Sequence, residues 1–213
     1  MTVTVSPRRV GAETSKTRDT LLDCVERMVF EQGYASVTYR ALATKAGVTS
    51  SLVQYYFPTL DDIFLSAISR YAGRNLEVLT ETLRSRPDYP LRALWEYSWD
   101  EATGALMTEF TALGNHRQAI RARMAEVTNQ VRTLQLDALA AKYGANARLE
   151  GDMSLGAALL LITGLPKLLN LEESIGVDTA HADLISTLER LLDTIEPISE
   201  PRARTSTSHS RRR

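Results

Sequence analysis

The sequence predicts an all-α protein: a three-helix N-terminal helix-turn-helix unit followed by a larger helical body, with about nine helices in total. Three observations lead there. Apolar residues recur every three or four positions over most of the chain. Glycine and proline separate these runs, at Gly33, Gly47, Pro58, Pro87, Pro90 and Gly144. From Leu91 onward no strand-like alternation of apolar and polar residues is found.

The first helix is expected over Thr17–Gln32, where Leu21, Leu22, Val25, Met28 and Val29 form one stripe and Gly33 is a natural stop. Cys24 lies inside it and reads as a packing residue, since no histidine lies near it in sequence to activate a thiolate. Tyr34 to Val37 form a link. The stretch Thr38 to Phe57 then reads as two short helices and a tight turn. Thr38 caps the first, which runs to about Lys45. Gly47 supplies the left-handed turn residue, Val48 plugs the core, and Thr49 or Ser50 caps the second helix, which stops before Pro58. Thr49, Ser50, Ser51, Gln54 and Tyr55 give this second helix an outer face of short polar and amphipathic groups. It carries no Glu or Lys, which an ordinary solvated face prefers. Such groups can touch base edges and phosphates.

After Pro58, Thr59 caps a long helix with Asp61 and Asp62 in its first turn, reaching about Leu83 or Arg84. R-S-R-P-D-Y-P at 84–90 is a linker. Helices follow near 91–103, 105–114 and 117–143, separated by Gly104 and by G-N-H at 114–116. Trp95, Trp99, Met107, Phe110 and Met124 are candidates for an adaptable apolar cavity, with ordinary core as the alternative. His116 is a candidate polar contact there, and Asn115 is either a second one or a helix cap. The most apolar stretch, 152–173, is broken at Gly164-Leu165-Pro166, where a kink is expected. Asp178 is expected to cap a last helix with a wide apolar stripe. Leu159, Ile162, Leu184, Leu188, Leu191, Leu192 and Ile195 therefore either fill the body or meet a second copy of the chain as a four-helix bundle.

The resulting division is a basic arm (1–15, flexible), a helix-turn-helix unit (16–60), a helical body (61–196) and a disordered basic tail (197–213). The 213 residues carry a net charge of −1 that hides an uneven spread. Residues 1–60 hold seven Lys/Arg and five Asp/Glu, residues 61–196 hold 13 and 20, and the tail holds five and one. The ends, not the middle, are suited to a polyanion; Arg8, Arg9 and Arg211 to Arg213 can reach phosphates. One cysteine excludes an internal disulfide framework, and three scattered histidines give no zinc-type spacing. No metal, cofactor or catalytic residue is expected: phosphate loop, nucleophile elbow and paired carboxylates are all missing. No apolar run of about 18 residues is seen, so no membrane span is expected, and the setting is a reducing cytoplasm.

The order of a helix ending in Gly33, then T-Y-R-A-L-A-T-K-A-G-V-T, then Y-F-P-T-L-D-D-I-F resembles the TetR family of bacterial helix-turn-helix transcriptional regulators over about residues 17–68. The resemblance implies that Thr38, Tyr39 and Arg40 lie at the phosphate-contacting start of the second helix. It also implies that Thr49, Ser50, Ser51, Gln54, Tyr55 and Tyr56 read DNA. It implies a homodimer on a palindromic double-stranded operator, a repressor or alternatively an activator, released by a small, largely apolar ligand. A helical interaction module without specific DNA binding is the other alternative. Ser51, Gln54 and Leu60 depart from the family pattern, which commonly has a glycine, an aromatic and a phosphate-contacting lysine there; Arg8, Arg9 and Lys45 are the candidates to compensate for the missing lysine.

Overall fold

The computed structural model describes residues 7–99 and 101–197, with side chains over 16–99 and 105–197. Among the described residues are nine α-helices: α1 (Pro7–Gln32), α2 (Tyr39–Ala46), α3 (Ser50–Tyr56), α4 (Leu60–Ser85), α5 (Pro90–Ser98), α6 (Glu101–Gly114), α7 (Gln118–Tyr143), α8 (Leu155–Glu173) and α9 (His181–Ile195).

The local signals for the first four helices act as expected. Gly33 (φ 76°) ends α1. Thr38 Oγ1 accepts the Ala41 N–H at 3.1 Å, and Gly47 turns the chain at φ 68°, ψ 32°. Thr49 Oγ1 accepts the Leu52 N–H at 3.3 Å. Thr59 and Asp62 form a reciprocal capping box at the start of α4.

Elsewhere the chain departs from the sequence reading. The first helix starts at Pro7, ten residues before Thr17, so 7–15 continue α1 and are not a separate arm. Gly104 lies inside α6 instead of dividing two helices. Arg117, not Asn115, is the N-cap of α7, and no side chain bonds there. Strands are present: Arg148–Leu149 (β1) and Met153–Ser154 (β2) pair antiparallel, with Arg148 opposite Ser154. Ser154 then caps α8, so that helix begins at Leu155. Pro166 sits inside one continuous α8. Asp178 does not cap the last helix, which starts at His181 after Ala180 in the left-handed region (φ 67°). Residues 1–6 and the tail from 198, with Arg211 to Arg213, lie outside the described residues, as do the side chains of Arg8 and Arg9.

Two apolar cores lie along the molecule. The first joins Leu21, Val25 and Val29 of α1, Leu42 of α2 and Val53 of α3. To these it adds the first half of α4, Phe110 and Leu113 of α6, and Ile120 of α7. The second joins Leu79 and Leu83 of α4, Leu91 and Leu94 of α5 and Leu139 of α7 to the inner faces of α8 and α9. Thus α4 and α7 run through both. The expected boundary at residues 60 and 61 falls within the first core, because α6 and α7 pack there with the helix-turn-helix unit.

By length and composition, α8 is apolar enough to cross a membrane, contrary to the sequence expectation. Six of its side chains are nevertheless buried in the body: Leu155, Ala158, Leu159, Ile162, Pro166 and Leu169. It is a core helix with a second, exposed apolar face.

The joint between α8 and α9 holds a histidine between two carboxylates. His181 is buried, with Nε2 2.8 Å from Glu172 Oε2 and Nδ1 3.3 Å from Glu173 Oε1. Neutral imidazole has one N–H, so only the imidazolium satisfies both carboxylates. The bond to Glu172 raises the His181 pKa above its ordinary 6.5, burial opposes this, and Glu173 adds to the rise. With the folded pKa raised, the stabilisation is fully present below the unfolded value and is lost as pH rises through the folded one. Thermal melts from about pH 6 to pH 9 should show a decline in Tm in the native protein that His181→Gln lacks. Parallel pH profiles for the two proteins would contradict this.

Candidate nucleic-acid interface

α3 is only seven residues long, and its burial pattern separates two faces. Val53 points into the first core, with Leu52 and Tyr56 half-buried beside it. Ser51, Gln54 and Tyr55 are exposed at the i, i+3, i+4 spacing of one helical face, and Tyr55 is 75% exposed. Tyr55 and Tyr56 meet edge to face at 5.3 Å. Apart from that ring contact, the phenol of Tyr55 is turned to solvent beside an amide and a hydroxyl. The three groups together offer hydrogen-bond donors, acceptors and an apolar edge. A major groove is read by such groups.

The flank of α2 adds an open groove lined by Met28, Gln32, Thr38, Arg40, Ala41, Thr44 and Lys45. Thr38 and Thr49 each use a hydroxyl oxygen to accept a cap hydrogen bond, which leaves each O–H able to donate to a phosphate. Arg40 is exposed on the same side and brings positive charge. Ser50 is half-buried at the first position of α3.

Tyr39 is placed differently from the expectation. Its hydroxyl turns inward and donates to the Phe57 carbonyl at 3.0 Å. Desolvation, and then the nearby Asp62 charge, raise its pKa above the usual 10, so it stays a neutral donor. Lys45 does not replace the missing lysine freely, because its Nζ is paired with Glu31 at 2.7 Å. Leu60, at the position where a lysine is common, is half-buried against the first core. Sequence reasoning missed Arg18 of α1. Its guanidinium lies 5.2 Å from the Phe57 ring centroid and donates to Ser66 Oγ at 2.8 Å. No local spacing signals this, since its partners are 39 and 48 residues away.

The six expected ligand residues are not brought together. Trp95 and Trp99 pack edge to face, 5.2 Å apart, in the second core. Met107, Phe110 and Met124 belong to the first. His116 is on the surface, beside Asn115, Gln118 and Arg121. A small apolar cavity of about 10 Å³ lies elsewhere, among Leu91, Ala158, Ile162, Leu188 and Leu192 of α5, α8 and α9. It has room for about one water. No group of three or more His, Cys, Asp or Glu able to hold a metal is found among the described residues.

The expected dimer residues need a similar correction. Leu159, Ile162, Leu188 and Leu192 are buried within the protomer, and Leu184, Leu191 and Ile195 are half-buried against the same core. The apolar residues of α8 that do face outward are Leu160, Leu161, Leu168 and Leu171. At about 100° per residue they fall within one arc of roughly 100°, with exposed Gly164 at its centre.

Residues 21–67 match the model of the bacterial regulatory proteins of the tetR family. This segment belongs to the TetR family. The TetR fold extends beyond it: a TetR transcription regulator from Haloarcula marismortui ATCC 43049 superposes with a TM-score of 0.62 at 16% identity, covering 85% of this chain and 98% of that one. The multidrug binding protein EbrR, solved with imidazole, gives 0.56 at 22% identity, covering 87% and 98%. A regulator-fold protein from Saccharomonospora viridis, solved with choline, gives 0.62 at 17% identity, covering 86% and 97%. A search of curated protein sequences found no match.

Proposed function

We propose that the chain is a sequence-specific DNA-binding transcriptional regulator, a repressor that binds a palindromic operator as a homodimer and is released by a small, largely apolar ligand. The observation that carries the reading is the outer face of α3, where Ser51, Gln54 and Tyr55 are exposed with no acidic or lysine side chain among them. Thr38, Arg40 and Thr49 position this face through phosphates, and Gln54 reads adenine through its bidentate amide. Residues 16–60 act as the DNA-reading unit and 61–196 as the ligand and dimer body. The exposed leucines of α8 form the dimer surface, which holds two α3 helices about 34 Å apart for successive major grooves. The site of action is cytoplasmic DNA, and no catalysis is assigned.

A ligand that enters the body acts through the joints between body and reading unit. The Tyr34 N–H donates to Glu109 Oε2 of α6 at 2.9 Å, and Arg117 at the start of α7 pairs with Asp61 at the start of α4. A ligand that prefers another arrangement of α6 and α4 shifts the distance between the two α3 helices. A coupling of about 1–3 kcal/mol weakens operator binding roughly 5–150-fold. Imidazole and choline in the two relatives support a body that admits small molecules.

Fluorescence anisotropy at fixed salt tests the reading, with duplexes from the DNA upstream of the gene and scrambled duplexes of equal length. A preference of about 1,000-fold or more is expected. Equal affinity for both sets would remove the regulator reading in favour of a helical interaction module.

A further inference from the structure

We infer that Tyr39 and Arg18 form a collar on Phe57 that fixes the tilt of α3, and so the discrimination between DNA sequences, without touching DNA. The inference rests on α3 being the DNA-reading helix. A seven-residue helix has almost no stability of its own, and Val53 is its one fully buried side chain. With Leu52 and Tyr56 only half-buried, contacts at its two ends add to what sets its orientation. At the start, Thr49 caps within the chain next to it. At the end, the last-turn carbonyls lack intrahelical partners, and the Phe57 carbonyl takes the Tyr39 hydroxyl at 3.0 Å.

The Phe57 side chain is 1% exposed, and the Arg18 guanidinium lies over its ring while bonding Ser66 of α4. Arg18 of α1, itself held by Ser66 of α4, and Tyr39 of α2 thus converge on the one residue that ends α3. Tyr39 stands between exposed Thr38 and Arg40 yet turns inward. The phosphate-facing start of α2 is thereby tied to the base-facing helix. α3 is roughly 10 Å long. A tilt of about 10° would move its outer side chains by about 2 Å, which breaks a bidentate hydrogen bond to a base.

The test uses the full chain, a duplex that the native protein selects from a random library, and a shuffled duplex of the same length. Tyr39→Phe removes one hydroxyl. Affinity for the selected duplex should fall about fivefold, affinity for the shuffled duplex and the salt slope of binding should stay unchanged, and Tm should move by less than about 3 °C. Amides of α3 should exchange faster. Arg18→Gln, which keeps a donor for Ser66 but not the cation on the ring, should also lower the ratio of the two affinities. If Tyr39→Phe weakened both duplexes equally and lowered the salt slope by about one, the hydroxyl would be a phosphate contact and the collar idea would be wrong. Unchanged ratios in both variants would overturn it as well. A native protein that selects no duplex at all would remove the DNA reading itself.

Discussion

Replacing Glu196 with alanine should lower the melting temperature by about 10 °C. Glu196 follows the end of α9, is 3% exposed, and carries its carboxylate to the start of α5. There Oε1 accepts the Leu91 N–H and Oε2 the Arg92 N–H, both at 2.9 Å, and Oε1 also accepts the Tyr143 hydroxyl. A carboxylate at a helix N-terminus is stabilised by the unpaired N–H groups and the dipole. α5 has Pro90 at its first position and no side-chain cap of its own, so Glu196 stands in for one from 105 residues away. Arg92 holds the strap from the other side, through the Glu196 carbonyl and Asp193.

Alanine would strand the two amides and the half-buried Tyr143 hydroxyl, at a combined cost of about 3 kcal/mol. Glutamine keeps the shape and one acceptor and should lose about half as much. Thermal unfolding of the three proteins at one pH decides the matter. An alanine variant within about 2 °C of the native protein would show that the α5 start needs no carboxylate.

Leu168→Glu should convert the proposed dimer to monomers and weaken binding to the proposed operator by at least about 100-fold. Leu168 is 47% exposed in the protomer, so glutamate there leaves the protomer core intact. In a twofold interface the residue faces the copy's matching patch, and two new charges would be buried in an apolar seam. On the proposed dimer, the lost affinity is that of the second half-site. Sedimentation velocity with and without the substitution gives the assembly state. A native protein that sediments as a monomer at micromolar concentration would undo the α8 surface.

What was legible in the sequence follows from how far each interaction reaches. The frame of α2 and α3 rests on Thr38, Gly47 and Thr49, and the start of α4 on Thr59 and Asp62. Each of these acts on a backbone group within four residues, so spacing alone reveals it. The outer face of α3 was legible for the same reason: Ser51, Gln54 and Tyr55 share a face by helical geometry. Tyr39 misleads because it sits between two exposed residues while its partner, Phe57, is 18 positions on.

The faces of α8 were hidden for another reason. The helix is apolar nearly all round, so periodicity cannot say which leucines turn inward, and the expected dimer residues Leu159 and Ile162 proved to be core. The ligand candidates share a type but not a place. Aromatic and methionine side chains mark apolar surroundings, and two separate cores each claim some of them. The strands at 148–149 and 153–154 are two residues long, too short to show an alternation.

The central claim is that the exposed face of α3 reads DNA, and one measurement tests it most directly. Native protein, Gln54→Ala and Tyr55→Ala are titrated at one salt concentration against the duplex selected by the native protein and against a shuffled one. Each substitution should cost about 1–3 kcal/mol, roughly 5–150-fold, on the selected duplex and leave the shuffled one almost unchanged. If both variants bind the selected duplex as tightly as the native protein does, the face of α3 does not read DNA and the account fails.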